Sequence, residues 1–130
     1  MKVLIVEDEF VSRKLMQKIL SPYANCDVAV DGEEAIQAFK IAWEEKEPYD
    51  LICMDIMMPK MDGKQALKKI REMETEMGIK ASDEVKIIMT TALAEQKDVE
   101  ETLKEGVSWY LVKPITKQKL LEQLRKLALI

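Results

Sequence analysis

An apolar run, Leu51–Met54, ends in a carboxylate, Asp55, and is followed by Ile56, two methionines and Pro59. A proline so close behind keeps the chain out of a helix there, so Asp55 has no helix of its own to cap. Other apolar runs also end in polar groups. Val3–Val6 is followed by Glu7 and Asp8, the run over 85–90 gives way to Thr90 and Thr91, and Trp109–Val112 is followed by Lys113. Brought together, these side chains amount to three carboxylates, a hydroxyl and an ammonium. Two unit charges about 4 Å apart interact by about 4 kcal/mol at an effective dielectric near 20, so the carboxylates call for a cation between them. An all-oxygen donor set suits Mg²⁺, which takes one or two carboxylates, several waters and phosphate oxygens. Phosphoryl transfer to Asp55 is the simplest chemistry that uses every member. The carboxylate acts as nucleophile, and the metal and Lys113 neutralise the equatorial oxygens. Taken singly, the residues keep plainer readings: Asp8 could cap the first helix and Lys113 could be an ordinary surface lysine.

The elements that must position these groups alternate. Strand-length apolar runs lie at 3–6, 27–30, 51–54, 85–90 and 109–112. Between and after them run helix-period segments. The first covers 10–20, with Val11, Leu15, Met16, Ile19 and Leu20 expected on one face. A second opens at the Asp31–Gly32 turn and runs to about Trp43. A third covers about 64–77, closed by Gly78. An acidic fourth covers 95–105, closed by Gly106. The last is capped by Thr116, with Leu120, Leu124 and Leu127 inward. The segment 71–86 reads as an extended helix end and loop. Continuous apolar strands separated by helices predict a parallel sheet covered on both faces, and right-handed crossovers make it an α/β sandwich of five strand–helix units. Such a sheet gathers its strands' carboxyl ends along one rim, where ligands bind.

Composition narrows the function. The chain has 130 residues, 48% apolar and 34% charged, which fits one globular domain. A formal charge of −4 speaks against nucleic-acid binding. There is no histidine, so this chain alone holds no Ser-His-Asp triad, Cys-His pair or histidine metal site. Cys26 and Cys53 do not form a CxxC pair and read as reduced core thiols. None of the four glycines lies near the first strand, so a dinucleotide fingerprint is missing. The start of the chain has no signal-peptide pattern, and no run approaches the ~18 apolar residues of a membrane span. A cytoplasmic location without membrane contact is expected.

The motifs LIVEDE, MDIMMPKMDG, TTA and LVKP, in that order and spacing, resemble the receiver domain of two-component response regulators over essentially the whole chain. The resemblance implies a flavodoxin-like receiver fold: a five-stranded parallel sheet of order 2-1-3-4-5 flanked by five helices, here as a stand-alone domain over residues 1–130 without an output domain. It implies that Asp55 is the phosphoacceptor. It implies Mg²⁺ held by Asp8, Asp55 and the backbone carbonyl of Met57, with Glu7 acting through water. Thr91 resembles the switch hydroxyl and Thr90 its non-switch neighbour, which spacing alone does not separate. Lys113 resembles the phosphate-contacting lysine, with a cis bond to Pro114. Tyr110 resembles the aromatic partner of the switch, the alternative being a strand residue packing on the last helix.

With histidine absent, the phosphoryl group is expected from a sensor histidine kinase, a phosphotransfer protein or a small donor such as acetyl phosphate. Output is expected as a change in binding to a downstream protein, through the face made by the helix at 95–105, the strand at 109–112 and the last helix. Those two helices are opposite in sign, which could also pair them across a homodimer. The domain is expected to be a signalling module and not a turnover enzyme. Haloacid-dehalogenase-like phosphatases carry DxD at their nucleophile, and Met57 stands where the second Asp would be. Met57 and Leu93, two residues beyond acceptor and switch, are expected to shield the acyl phosphate from water.

Overall fold

The computed structural model describes residues 1–92, 100, 104 and 106–130. Five strands form one parallel sheet of order β2-β1-β3-β4-β5: β1 (Lys2–Val6), β2 (Asn25–Ala29), β3 (Leu51–Asp55), β4 (Lys86–Thr91) and β5 (Trp109–Val112). Four α-helices lie among the described residues: α1 (Phe10–Leu20), α2 (Gly32–Glu44), α3 (Gly63–Glu76) and α4 (Lys117–Lys126). Of the helix expected over 95–105, only Glu100 and Lys104 are among the described residues, and Leu93 lies outside them. Among those described, no helix is long and apolar enough to cross a membrane.

The sheet is apolar on both sides because both sides are covered. Leu4, Val6, Ile52, Met54, Ile87 and Met89 pack on Phe39 of α2 and on Leu67 and Ile70 of α3. The alternate strand residues Val3, Ile5, Leu51, Cys53 and Ile88 pack on Met16, Ile19 and Leu20 of α1 and on Leu120, Leu121 and Leu124 of α4. This period-two division between two layers is why the strands read as unbroken apolar runs. Fully burying a side chain the size of Phe39 or Leu20 contributes about 1.5–3 kcal/mol.

Side chains fix the helix starts. Asp31 accepts from Glu34 N at 2.9 Å, and Asp62 and Gln65 form a reciprocal capping box on α3. Thr116 caps α4, accepting from Lys119 N at 3.2 Å. The cap of α1 is Glu9, whose carboxylate accepts from Ser12 N. Asp8 is thereby relieved of the capping role that the sequence left open to it.

The expected apolar face of α1 needs correction: Val11 is 68% and Leu15 46% exposed. At 100° per residue they lie about 140° and about 100° round the helix from Met16, outside the stripe that Met16, Ile19 and Leu20 turn to the sheet. The segment 71–86 resolves into the end of α3, Gly78 at φ 72°, and a 3₁₀ turn at Ala81–Asp83. A fully buried carboxylate, Glu74, anchors it. Glu74 accepts from Val85 N at 2.8 Å and from Arg71 at 2.6 Å, and Arg71 also donates to the Gly106 carbonyl at 3.0 and 2.7 Å. One ion pair thus ties the end of α3 to the starts of β4 and β5.

Candidate functional site

The carboxyl ends of β1, β3 and β5 deliver the polar residues to one rim. Glu7 and Asp8 follow β1, Asp55 is the last residue of β3, and Lys113 follows β5. One carboxylate oxygen from each of Glu7, Asp8 and Asp55 lies within 4.8 Å of the others. Lys113 Nζ donates to Asp55 Oδ2 at 3.0 Å and to Glu7 Oε1 at 3.1 Å, bridging the two. The other Asp55 oxygen accepts from Met57 N at 3.3 Å, and Glu7 Oε2 accepts from Glu9 N at 3.3 Å. Glu7 and Asp55 are each only 5% exposed, whereas Asp8 is open to solvent.

The charges do not balance. Burial pushes the Glu7 carboxyl above its ordinary value, and its hydrogen bond and repulsion with Asp55 push it further, against the pull of Lys113. Asp8 is raised by desolvation and then by Glu7. Burial acts to lower Lys113, but its bonds to Asp55 and Glu7 prevail and hold the ammonium above its usual value. One lysine among three carboxylates leaves a site that favours a further cation.

The backbone beneath the site is tight. Asp55 pairs with Thr90 across the sheet, and Ile56 N donates to the Thr90 carbonyl at 3.1 Å. Gly63 N returns to the Ile56 carbonyl at 2.8 Å, and a Cβ on Gly63 would stand 2.4 Å from the Asp55 carbonyl oxygen. Glycine at 63 is therefore what lets α3 begin against the loop after Asp55. Lys60, at φ 64°, turns that loop in the left-handed region. Met57 is 58% exposed on it.

Register separates the two threonines. Met89 pairs with Tyr110 and Thr91 with Val112, so Thr91 and Tyr110 belong to the same side of the sheet. Tyr110 packs against the α2–α3 layer, while α4 packs on the other layer with Leu111. The alternative placing of Tyr110 on the last helix is thus corrected by the strand's two-residue alternation. Thr91 is 1% exposed and its hydroxyl donates to the Ala92 carbonyl at 3.1 Å. Thr90 faces the opposite side and lines a cavity of about 450 Å³ with Glu7, Lys113, Leu15, Met16 and Ile115. The Lys113–Pro114 bond is cis.

One contributor escaped the sequence reading. Arg13, in the first turn of α1, donates through Nη1 to the Glu7 carbonyl at 2.9 Å and the Asp8 carbonyl at 3.4 Å, and lies over the Phe10 ring. It pins the backbone of the acidic pair. Its signal, an arginine five residues after Asp8, is too common to single out.

Residues 3–125 match the family model for the response regulator receiver domain. The chain belongs to that family. Among curated relatives, this receiver is 36% identical to the chemotaxis protein CheY of Treponema pallidum, over 95% of this chain and 79% of the relative. It is also 34% identical to Probable histidine kinase 2 of Oryza sativa subsp. indica, over 94% of this chain, and spans only 12% of that protein's length. Among solved structures, it is similar to the receiver domain of the Pseudomonas aeruginosa sensor histidine kinase PA1611, which has magnesium coordinated in its active-site cleft. The TM-score is 0.76 and the identity 31%, covering 96% and 94% of the two chains. It is also similar to a chain in the Saccharomyces cerevisiae complex of the phosphotransfer protein Ypd1 with the receiver domain of Ssk1, with TM-score 0.83 and 29% identity over 97% and 87%. The receiver is a phosphoacceptor signalling module of the two-component type.

Proposed function

We propose that Asp55 accepts the phosphoryl group and that Glu7, Asp8, Asp55 and the Met57 carbonyl surround a Mg²⁺ ion, Glu7 through water. The observation that carries this reading is the convergence of three carboxylates within 4.8 Å of one another, with the Lys113 ammonium bonded to two of them. The donor set fits a hard divalent cation, and the raised Glu7 and Asp8 carboxyls are what such a cation relieves. When bound, the ion withdraws charge from the phosphoryl oxygens. The chain's own residues do the rest. An Asp55 carboxylate oxygen attacks phosphorus as the bond to the donor's nitrogen or oxygen breaks. Lys113, already on Asp55, has its ammonium in place for a phosphoryl oxygen, and Arg13 keeps the acidic pair from swinging away.

The product is read by Thr91, whose hydroxyl turns from the Ala92 carbonyl to a phosphoryl oxygen, with Tyr110 responding on the same side of the sheet. The donor is a partner's phosphohistidine, as the pairing of Ypd1 with a similar receiver suggests, or a small acyl phosphate. The change is delivered to a downstream protein over the face that includes β5 and α4. The test is incubation with Mg²⁺ and acetyl phosphate followed by mass spectrometry. One added phosphate on Asp55, lost on EDTA treatment before the reaction and in Asp55→Asn, is the expected result. A phosphate elsewhere, or none, defeats the reading.

A further inference from the structure

A groove of about 990 Å³ runs between α2 and α3, away from β5 and α4. Its floor is apolar, and two of its residues, Val28 and Ile41, are 42% and 48% exposed. Its walls differ in charge. The α2 wall begins with Glu33 and Glu34, whereas the α3 wall carries Lys68 and Lys69 in its first half. Further along, the α3 wall carries Glu72, while the α2 wall continues with Gln37 and Ile41. The α3 pattern runs against its own macrodipole, with no acid in the first turn and no base in the last. Charges arranged to stabilise α3 alone would be reversed. Nor do they serve the chain internally: among the described residues, Glu33, Lys68, Lys69 and Glu72 make no ion pair. The groove also touches the acceptor loop. Lys60 and Met61 line it, Gly32 N donates to the Met61 carbonyl at 3.1 Å, and Lys60 lies 3.9 Å from Asp31.

We propose that this face is where two copies of the chain associate. The two helices follow parallel strands and so run in the same direction. A twofold axis lying along the groove lays α2 of one copy over α3 of the other with that direction kept. Glu33 and Glu34 then face the second copy's lysines at 68 and 69, and the apolar floors meet between them. A face with one acidic and one basic wall is complementary to itself under this rotation, and an isologous dimer needs that property. A foreign partner would have to reproduce both walls, which the second copy already carries.

The test is sedimentation velocity of the whole chain across about a hundredfold range of concentration, at low and at high salt. A dimer that grows with concentration and recedes in salt is expected. Glu33→Lys and Lys69→Glu should each raise the dissociation constant by about tenfold or more. The double variant should return it to within about threefold of wild type. Ile41→Glu, at an already exposed floor position, should abolish association with circular dichroism unchanged. A monomer at every concentration, a dimer indifferent to all these substitutions, or a double variant no better than its parents each overturns the proposal.

Discussion

At the scale of single residues, Lys113 is the pivot. Its ammonium is the partner that Glu7 and Asp55 share, and it stands where a bound cation would compete with it. Lys113→Met should therefore act in two directions. Mg²⁺ should bind severalfold more tightly, since an ammonium no longer opposes it, and calorimetric titration measures this. Phosphoryl transfer from acetyl phosphate should slow by about 10²-fold or more, the scale of losing one charge-stabilising donor. Unchanged Mg²⁺ affinity with slower transfer would mean that the lysine and the metal do not share these oxygens. Thr91 makes a second, smaller point. A hydroxyl bonded to a charged phosphoryl oxygen contributes roughly 1.5–3 kcal/mol, while moving a population from 1:99 to 99:1 takes about 5.5 kcal/mol. Thr91→Ala should accept phosphate yet lose much of the gain in partner affinity, about 10-fold to 150-fold by that contribution. Normal gain in the phosphorylated variant would remove Thr91 from the coupling.

At the scale of elements, α3 is held at both ends. It starts where Gly63 lets it lie against the Asp55 backbone, and it finishes where Glu74 and Arg71 grip Val85 and Gly106. Breaking a buried pair from one side costs about 3–5 kcal/mol, and without Glu74 the Arg71 guanidinium keeps, of its acidic partners among the described residues, only the longer contact to Glu84, at 3.8 Å. Glu74→Ala should lower stability by about that much in urea denaturation. Arg71→Met combined with Glu74→Leu should recover part of the loss. The recovery stays partial because the Val85 N–H and the Gly106 carbonyl keep no partner. A double variant as unstable as Glu74→Ala would mean that those backbone groups, and not the charges, carry the cost. The same elements show what a sequence can hold. Strands were legible because both faces are covered and every position had to be apolar. Polar residues after them marked the rim because a parallel sheet sends all those ends one way. Three things were not legible. Val11 and Leu15 matched the helical period of α1 but sit outside its buried stripe. Thr90 and Thr91 differ only in the phase of the strand, which register decides and spacing does not. Glu74, Arg71 and Arg13 act on backbone groups that tertiary folding alone brings near.

At the scale of the whole molecule, the acidic rim links stability to pH and to metal. Glu7 and Asp8 have raised carboxyls in the folded state. The folded chain therefore holds protons that the unfolded chain releases, and linkage makes stability fall as pH climbs from ordinary carboxylate values through the raised ones. The Lys113 contribution has the other range: its value is raised, so its stabilisation is whole below the ordinary lysine value and is lost only as alkaline pH passes the folded one. A divalent cation replaces the protons on the acids. At about ten times its dissociation constant it adds about 1.4 kcal/mol, a few degrees in Tm for a domain of this size. Thermal melts at a fixed, modest Mg²⁺ concentration should thus show the largest rise in Tm near neutral pH. The rise should shrink as acid refills Glu7 and Asp8. Glu7→Gln removes the buried charge, so the metal-free protein should become less sensitive to pH across the acid window and gain less from Mg²⁺ at neutral pH. An equal Mg²⁺ increment at every pH would place the ion away from these carboxylates, and with it the proposed seat of the phosphoryl chemistry.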